Sequence, residues 1–382
     1  MTQNIDAKKA REYFGERVPA MVEAIREIVE IESPSRDASG NAAVVDWIEK
    51  YLFDSGISVS IEKIDAGENG KHLVIEAFGN EKPHTFLIGH TDTVHPVGTR
   101  EQNPTRIDGD RFYGCGIFDM KANIVAAFEA MRYFADNGLR PARPIKILLS
   151  CDEEIGSPSG REYVEAGAKD AAFCLVCEPS AAGKIKTGRK GTGMYSVSAH
   201  GIPSHAGLEP EKGANAVLEL ARHVEALTSL TDADKGTTVN VCTFSGGTAM
   251  NVIPEYAKFS IDLRFKTAAE AERVDAALRA IKPFDERISI EIDGGINRPP
   301  MERTDAVAEL FANARSAAEG FGYAIDETQV GGASDGNFAA ALGVPVLDGL
   351  GIRGDGAHTL DEYINISDIA DRTTLLTLLL SI

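Results

Sequence analysis

Residues 85–94 are Thr85-Phe86-Leu87-Ile88-Gly89-His90-Thr91-Asp92-Thr93-Val94. The apolar run predicts a buried strand that ends in a histidine and an aspartate two residues apart. Side chains at positions i and i+2 of a strand point to the same face, so His90 and Asp92 would project together from the rim of a sheet. A metal-ligating histidine usually donates its other ring N–H to a carboxylate, and the pair therefore suits a ligand with its orienting partner.

Composition and charge argue against several classes of protein. A chain of 382 residues exceeds one typical core and predicts two domains. The formal net charge of −19 argues against a nucleic-acid partner, which requires a basic surface. The sequence has no apolar run long enough to span a bilayer, and its first residues lack the apolar core of a signal peptide. We therefore expect a cytoplasmic protein without a membrane partner.

The cysteines indicate a reducing compartment, because their number is odd and their spacing irregular: Cys115, Cys151, Cys174, Cys177 and Cys242. The segment Cys174-Leu175-Val176-Cys177 matches the C-x-x-C pattern of metal and redox sites. It falls in a predicted buried strand, however, where positions i and i+3 face opposite sides. We expect both thiols to be structural.

The first half of the chain alternates helical and strand patterns, which predicts a layered α/β sheet. Helical periodicity predicts helices at 18–31, 41–54, 120–136 and 159–166. Apolar runs predict strands at 57–64, 72–78, 84–89, 144–150 and 172–177.

A second pattern begins near residue 190 and gives the order β-α-β-β-α-β. Its predicted elements are a strand at 194–198, a helix at 213–229, strands at 237–244 and 257–265, a helix at 268–280 and a strand at 287–292. This order is that of a split βαβ, or ferredoxin-like, α+β domain. After Pro299-Pro300 the helix–strand alternation returns. The sequence therefore predicts a discontinuous α/β domain at 1–190 and 299–382, with an inserted domain at 191–298.

Acidic residues and a second histidine recur at later strand ends and glycine-rich turns. They are Asp119 before a helix, Asp152-Glu153-Glu154 and Glu178 after apolar strands, and His358 in a glycine-rich loop. Open α/β sheets bind ligands outside the carboxyl ends of their strands, so these residues can converge with His90. Converging carboxylates repel one another unless a cation compensates. Two imidazoles with carboxylates suit zinc, and a shared carboxylate suits a two-metal site about 3.5–4 Å across.

Four motifs resemble the signatures of the dizinc aminoacylase/carboxypeptidase family. They are Gly89-His90-Thr91-Asp92-Thr93-Val94, Asp152-Glu153-Glu154, Glu178-Pro179 and Ser204-His205-Ala206-Gly207. That family includes glutamate carboxypeptidase of the carboxypeptidase G type, acetylornithine deacetylase and succinyl-diaminopimelate desuccinylase. The similarity covers essentially the whole chain. The tail, with Gly331-Gly332-Ala333-Ser334-Asp335-Gly336, Leu350-Gly351-Ile352 and His358, is most similar to the glutamate carboxypeptidase branch. The resemblance implies a zinc-peptidase-like α/β catalytic domain with an inserted lid and dimerisation domain.

The resemblance also implies a ligand set for two zinc ions per subunit. Asp119 would bridge the ions, His90 and Glu178 would complete one site, and Glu154 and His358 would complete the other. Cobalt or manganese could occupy the same ligands.

Three further residues receive catalytic roles from the resemblance. Asp92 would hold the His90 ring, Glu153 would be the general base, and His205 would reach across a dimer interface to the developing oxyanion. A cis peptide is implied between Asp119 and Met120.

The resemblance to glutamate carboxypeptidases also implies that Asn251, Arg264 and Arg298 hold the substrate's terminal carboxylate, and arginine matches a carboxylate bidentately. A structural salt bridge remains an alternative for Arg264, and a hinge role for Arg298.

These inferences predict a zinc-dependent hydrolase that cleaves an amide bond and releases a C-terminal amino acid, with glutamate expected, from a peptide or N-acyl amino acid. One alternative keeps the chemistry but makes the enzyme an N-acyl amino acid deacylase, of the acetylornithine or succinyl-diaminopimelate type, or a dipeptidase. A non-catalytic metal-binding protein is a second alternative, against which the presence of Glu153 speaks. A nucleotide-binding enzyme is disfavoured, because no G-x-G-x-x-G follows a first strand.

Overall fold

The computed structural model of the chain describes residues 5–382. Over that range the chain forms two compact units. The first extends up to Gly188 and also takes in Arg303–Val330 and Ser334–Ile382, whereas the second comprises Arg189–Glu302 and Gly331–Ala333. Among the described residues, no helix is both long and apolar enough to cross a membrane. All five cysteines are free thiols.

The elements before residue 190 alternate between helices and strands. In chain order they are α1 (Ala7–Val29), α2 (Ala38–Asp54), β1 (Val59–Asp65), β2 (Lys71–Ala77), β3 (His84–His90), α3 (Thr99–Gln102), β4 (Arg106–Asp108), β5 (Arg111–Tyr113), α4 (Ala122–Asp136), β6 (Ile145–Ser150), α5 (Arg161–Ala168), β7 (Ala171–Val176) and β8 (Ile185–Arg189).

The later elements belong first to the second unit and then to the first again. They are β9 (Gly191–His200), α6 (Ala216–Thr228), β10 (Thr238–Gly246), β11 (Tyr256–Phe265), α7 (Ala268–Arg279), β12 (Ser289–Arg298), α8 (Asp305–Glu319), β13 (Glu327–Val330), α9 (Gly336–Ala341), β14 (Val346–Leu347), β15 (Gly354–Asp355), β16 (Tyr363–Asn365) and α10 (Ile369–Leu379).

Six strands of the first unit form its central sheet, in the order β1-β2-β6-β3-β7-β14. Strands β6, β3, β7 and β14 are parallel, so their carboxyl ends meet at one edge. Leu87 belongs to the same core cluster as Phe128 of α4, whereas its neighbour Phe86 lies against Gly167 of α5. Because successive strand residues face opposite sides, helices cover both faces of the sheet. The predicted α/β class is confirmed.

Helix α1 begins at Ala7, well before the predicted start at residue 18. The Asp6 carboxylate caps it by accepting hydrogen bonds from the N–H groups of Lys8 and Lys9. Its buried face continues through Ala10 and Phe14, which precede the predicted helix. Pro19 lies inside the helix.

The second unit has the predicted ferredoxin-like order β9-α6-β10-β11-α7-β12. Its four strands form an antiparallel sheet in the order β10-β11-β9-β12. Strand β9 is longer than the predicted 194–198, because it pairs along its length with β11 on one side and β12 on the other. The sheet and both helices share a core that is separate from that of the first unit and includes Val197, Leu220, Phe259 and Val274.

A small sheet of the first unit, in the order β15-β16-β5-β4, was not predicted. Its strands are two or three residues long, too short for a period-2 pattern to be recognised. The hairpin of β15 and β16 encloses the loop that carries His358, and β16 pairs with β5. Through this pairing the sheet holds the His358 loop next to β5, which precedes Asp119 in the chain.

Candidate metal centre

The parallel strands bring His90 and Glu178 to the same level of the sheet edge. His90 is the last residue of β3 and pairs with Ser150, the last residue of β6. Two residues earlier, Ile88 pairs with Val176 at the end of β7. Glu178 therefore lies level with His90 one strand away, and His90 Nε2 is 3.5 Å from Glu178 Oε1.

Asp119 lies between the two histidines. Its Oδ1 atom is 3.1 Å from His90 Nε2, and its Oδ2 atom is 3.3 Å from His358 Nε2. Glu154 Oε2 lies 3.2 Å from the same His358 nitrogen. The structure thus brings His90, Asp119, Glu154, Glu178 and His358 together in one unit, with one oxygen of Asp119 directed to each imidazole.

The turn that carries Asp119 is irregular. It spans Ile117–Lys121 and precedes α4, with non-helical backbone angles at Asp119 and Met120. The peptide between these two residues is cis, as the family resemblance implied. Met120 Sδ accepts a hydrogen bond from the His90 N–H at 3.3 Å, which fixes the turn against the end of β3.

Asp92 holds both His90 and the following acidic turn. His90 Nδ1 is 2.9 Å from the Asp92 backbone oxygen and 3.4 Å from its Oδ1. Because a carbonyl only accepts, Nδ1 carries a proton, and Nε2 is the ring atom left to bind a metal ion. The Asp92 carboxylate also accepts hydrogen bonds from the Ser35 hydroxyl at 2.6 Å and from the backbone N–H groups of Glu153 and Glu154, both at 3.1 Å.

The acidic residues predicted to follow the strand at 144–150 lie beyond Ser150, the last residue of β6. Glu153 and Glu154 belong to a 3₁₀ turn, Glu153–Ile155, and their N–H groups donate to the Asp92 carboxylate. Glu154 Oε1 is buried without a hydrogen-bond partner among the described residues. An orphaned buried carboxylate oxygen beside an imidazole is the condition that a bound cation satisfies.

Electrostatics at the centre favour additional positive charge. Burial opposes protonation of His90, but hydrogen bonds to Asp119, Asp92 and Glu178 outweigh it and raise the His90 pKa well above its usual value. Hydrogen bonds to Asp119 and Glu154 raise the pKa of His358 to about 10. Burial raises the pKa of Glu154.

Two overlapping groups of side chains offer metal-ligand atoms that all lie within 4.8 Å of one another. They are His90, Asp119 and Glu154, and His90, Glu153 and Glu178. Imidazole nitrogen with carboxylate oxygen is a donor set typical of zinc. The residues present therefore fit divalent cations, and with cations bound the imidazoles would not need protons to balance the carboxylates.

The matching family model decides the identity of the chain. The model of peptidase family M20/M25/M40 matches residues 86–381. The chain belongs to this family. M20 enzymes are dizinc hydrolases of amide bonds, so the predicted enzyme class and zinc requirement are confirmed.

Several M20 relatives cover nearly the whole chain. Carboxypeptidase G2 of Pseudomonas sp. (strain RS-16) is 30% identical over 363 residues, which cover 93% of this chain and 87% of that protein. Acetylornithine deacetylase of Myxococcus xanthus is 28% identical, covering 93% of this chain and 95% of that protein. Among solved structures, aminopeptidase PepT from Bacillus cereus ATCC 10987 superposes with a TM-score of 0.77 at 22% identity, over 95% of this chain and 98% of that one. This structural similarity to PepT supports the M20 fold.

His205 of the M20 motif Ser204-His205-Ala206-Gly207 lies in an exposed turn of the second unit. Its Nδ1 atom accepts hydrogen bonds from the N–H groups of Gly207 and Leu208, at 3.1 and 3.2 Å. A ring nitrogen that accepts carries no proton, so the neutral ring has its proton on Nε2. The turn therefore presents His205 as a hydrogen-bond donor. Asn251 is adjacent, because its backbone oxygen accepts the N–H of Ala206 at 2.9 Å.

The two predicted arginines differ in their surroundings. Arg264 Nε and Nη2 bind both carboxylate oxygens of Asp262 at 2.8–3.1 Å, two residues along the same strand. This pair favours the salt-bridge alternative for Arg264. Arg298, at the end of β12, is 7% exposed.

Two buried charged residues beside Asp119 were not predicted from the sequence. Glu362 is 1% exposed and accepts hydrogen bonds from the turn that carries Asp119. Burial raises its pKa to about 7. Lys121 is also 1% exposed, burial lowers its pKa to about 8, and its Nζ donates to the Ile31 carbonyl. The one sequence signal that could have suggested them is their position near predicted ligands, since Lys121 follows Asp119 and Glu362 follows His358 within a few residues.

Proposed function

We propose that this M20 hydrolase is a carboxypeptidase that releases a C-terminal amino acid, with glutamate preferred, from a small peptide or N-acyl amino acid. The observation that carries the proposed chemistry is Asp119, whose two carboxylate oxygens face two different imidazoles at 3.1 and 3.3 Å. The similarity to carboxypeptidase G2 supports the carboxypeptidase assignment.

The ligand assignment follows the pairing of side chains in the cluster. We assign His90 and Glu178 to one ion, Glu154 and His358 to the other, and Asp119 to both. The imidazole–carboxylate distances of 3.5 Å and 3.2 Å support this division, because each histidine lies beside its own glutamate. Divalent ions held by these residues would supply a water of lowered pKa and would polarise the scissile carbonyl.

Glu153 is the proposed general base. It belongs to a second group of ligand-type side chains with His90 and Glu178, and its backbone is held by Asp92. Its carboxylate would take a proton from the attacking water and then deliver that proton to the nitrogen of the leaving amine. The fixed turn keeps the carboxylate in place through both transfers.

His205 is the proposed oxyanion donor, through Nε2–H. We propose further that the second unit acts as a lid and as a dimerisation surface, and that each centre receives His205 of the partner subunit. The acceptor role of Nδ1 supports a donor role for Nε2. For the substrate carboxylate we propose Asn251 and Arg298, and Arg264 only if it leaves Asp262.

A substrate panel with the zinc-loaded protein tests the proposal. The panel contains N-acyl glutamate, a dipeptide with C-terminal glutamate, N-acetylornithine, N-succinyl-diaminopimelate and apolar dipeptides. The proposal expects the highest kcat/KM for the two glutamate compounds. Faster hydrolysis of N-acetylornithine or N-succinyl-diaminopimelate would instead establish the deacylase alternative, which the similarity to acetylornithine deacetylase supports. A preference for apolar dipeptides would establish a dipeptidase.

A further inference from the structure

The irregular turn before α4 leaves backbone N–H groups that the helix cannot satisfy. Asp119 and Met120 depart from helical angles, and the turn has no side-chain cap of its own. Buried N–H groups without acceptors cost free energy comparable to a lost hydrogen bond. The turn that presents Asp119 therefore needs an acceptor from elsewhere in the chain.

One distant side chain supplies that acceptor. Glu362 Oε1 accepts hydrogen bonds from the N–H groups of Phe118 at 2.8 Å and Asp119 at 2.9 Å. Its Oε2 accepts from Gly116 N–H at 2.8 Å. Both oxygens thus accept hydrogen bonds, from three backbone N–H groups between Gly116 and Asp119 in all, which is the arrangement of a carboxylate that fixes backbone geometry.

The backbone of Glu362 is itself held by hydrogen bonds to the chain near Tyr113. Its backbone oxygen accepts the N–H of Gly114 at 3.1 Å, and the next residue, Tyr363, pairs with Tyr113 in the small sheet. Four residues earlier, the same loop carries His358. The loop is also held by His95, whose Nε2 donates to the Thr359 carbonyl at 3.1 Å.

We propose that Glu362 is a positioning residue for the metal centre, which locks the Asp119 turn to the His358 loop. This rests on the proposed ligand assignment, in which those two residues bind a common ion. The chain distance between Asp119 and His358 is long, so their separation depends on contacts such as this one. Loss of the Glu362 carboxylate would let the turn relax and pull Asp119 away from the geometry in which each of its oxygens faces one imidazole.

The test compares zinc affinity, by chelator competition, in wild type, Glu362→Gln and a matched control, Glu129→Gln. Glu129 lies in α4 and is also a fully buried carboxylate, but its hydrogen bonds come from Arg17 and Tyr51. Glutamine keeps the size of the side chain but turns an N–H group towards one of the backbone donors. We expect Glu362→Gln to bind zinc about 10- to 100-fold more weakly, as for other partners that orient metal ligands. Glu129→Gln should lower thermal stability and leave zinc affinity unchanged.

The visible absorption of the cobalt-loaded protein is the second readout, because it reports coordination geometry and not stability. We expect a changed spectrum in Glu362→Gln and a wild-type spectrum in Glu129→Gln. Wild-type zinc affinity and spectrum in Glu362→Gln would overturn the proposal. If that variant does not fold, the same two measurements are made on Glu362→Asp. Aspartate keeps the charge but is one methylene shorter, so weaker zinc binding and a changed spectrum are again expected. If neither folds, Glu362 is a structural residue and the proposal fails.

The experiment separates this inference from the proposed function. If wild-type protein binds no zinc by competition, the ligand assignment fails and the proposed function fails with it. If wild type binds two zinc ions and the Glu362 variants bind them equally well, only the positioning role is lost.

Discussion

Asp92 Oδ1 lies 3.1 Å from the backbone nitrogen of Glu153 and accepts its hydrogen bond. The same buried carboxylate is 3.4 Å from His90 Nδ1. One side chain therefore connects a proposed zinc ligand with the turn of the proposed base. Hydrogen bonds to His90 and Ser35 overcome the effect of burial and keep the pKa of Asp92 below its usual value, so the connection is made by an ionised group.

Asp92→Asn should weaken metal binding and catalysis together. An amide cannot accept from Ser35, Glu153 and Glu154 with both of its terminal atoms, so the base turn and the His90 ring both lose support. We expect zinc affinity to fall about 10- to 100-fold. Zinc competition and kcat, measured at saturating zinc, check this. A variant with wild-type zinc affinity would show that the Asp92 carboxylate does not orient His90.

Glu153→Ala should separate metal binding from chemistry. The alanine variant should retain two zinc ions per chain by elemental analysis and lose about 10²–10⁴-fold in kcat, the range for removal of a general base. Glu165→Ala, which removes an exposed partner of Arg161, is the matched control and should keep wild-type activity. An active Glu153→Ala enzyme would refute the assignment of the base.

His205→Ala should reduce kcat about 10²–10³-fold, the cost of one oxyanion donor, while zinc content stays unchanged. The control is His200→Ala in the same unit, where His200 lies 3.6 Å from Glu291 in a half-exposed pair. This control should leave kcat close to wild type. Equal activity of the two variants would remove His205 from the proposed mechanism.

Mixed dimers test whether His205 acts across subunits. Separately inactive Glu153→Ala and His205→Ala chains, unfolded and refolded together, should recover activity. A mixed dimer holds one centre with Glu153 and a partner's intact His205, so random pairing gives about a quarter of wild-type activity in a two-fold dimer. No recovery, with mixed dimers demonstrated by differential tagging, would place His205 in its own subunit's centre or outside the mechanism.

The second unit should lose stability in acid through Glu270. Hydrogen bonds from Arg273, supported by Thr237 and Lys235, lower the pKa of Glu270 from 4.5 to about 2. Because the folded-state pKa is below the unfolded one, this stabilisation is present above pH 4.5 and is lost as the pH falls towards 2. Glu270→Gln should therefore melt below wild type at pH 7, and the difference should close between pH 4.5 and 2. A difference independent of pH would contradict the ionic origin.

The sequence was most informative where local pattern and ligand chemistry coincide. His90 and Glu178 were predictable because apolar strands mark the sheet edge, and a parallel sheet brings those ends together. The inserted β-α-β-β-α-β order was predictable from periodicity alone. The Asp119–Met120 cis peptide came from family resemblance, since no residue pattern indicates it.

Other features depend on contacts between residues far apart in the chain. Glu362 acquires its role by reaching a turn more than two hundred residues earlier, which periodicity does not encode. The local conformation of Glu153 and Glu154 was not predicted, because the apolar run before them gives no sign of the 3₁₀ turn that follows it. The Asp262–Arg264 pair was foreseen only as an alternative, because the family resemblance assigned Arg264 to the substrate carboxylate.

Anomalous diffraction at the zinc edge, from crystals of the zinc-loaded protein, would show whether Asp119 holds two metal ions. We expect two zinc peaks about 3.5–4 Å apart, one on each side of the Asp119 carboxylate. The first should contact His90 and Glu178, and the second Glu154 and His358. A single peak, or two peaks of which neither contacts Asp119, would refute the proposed two-metal centre.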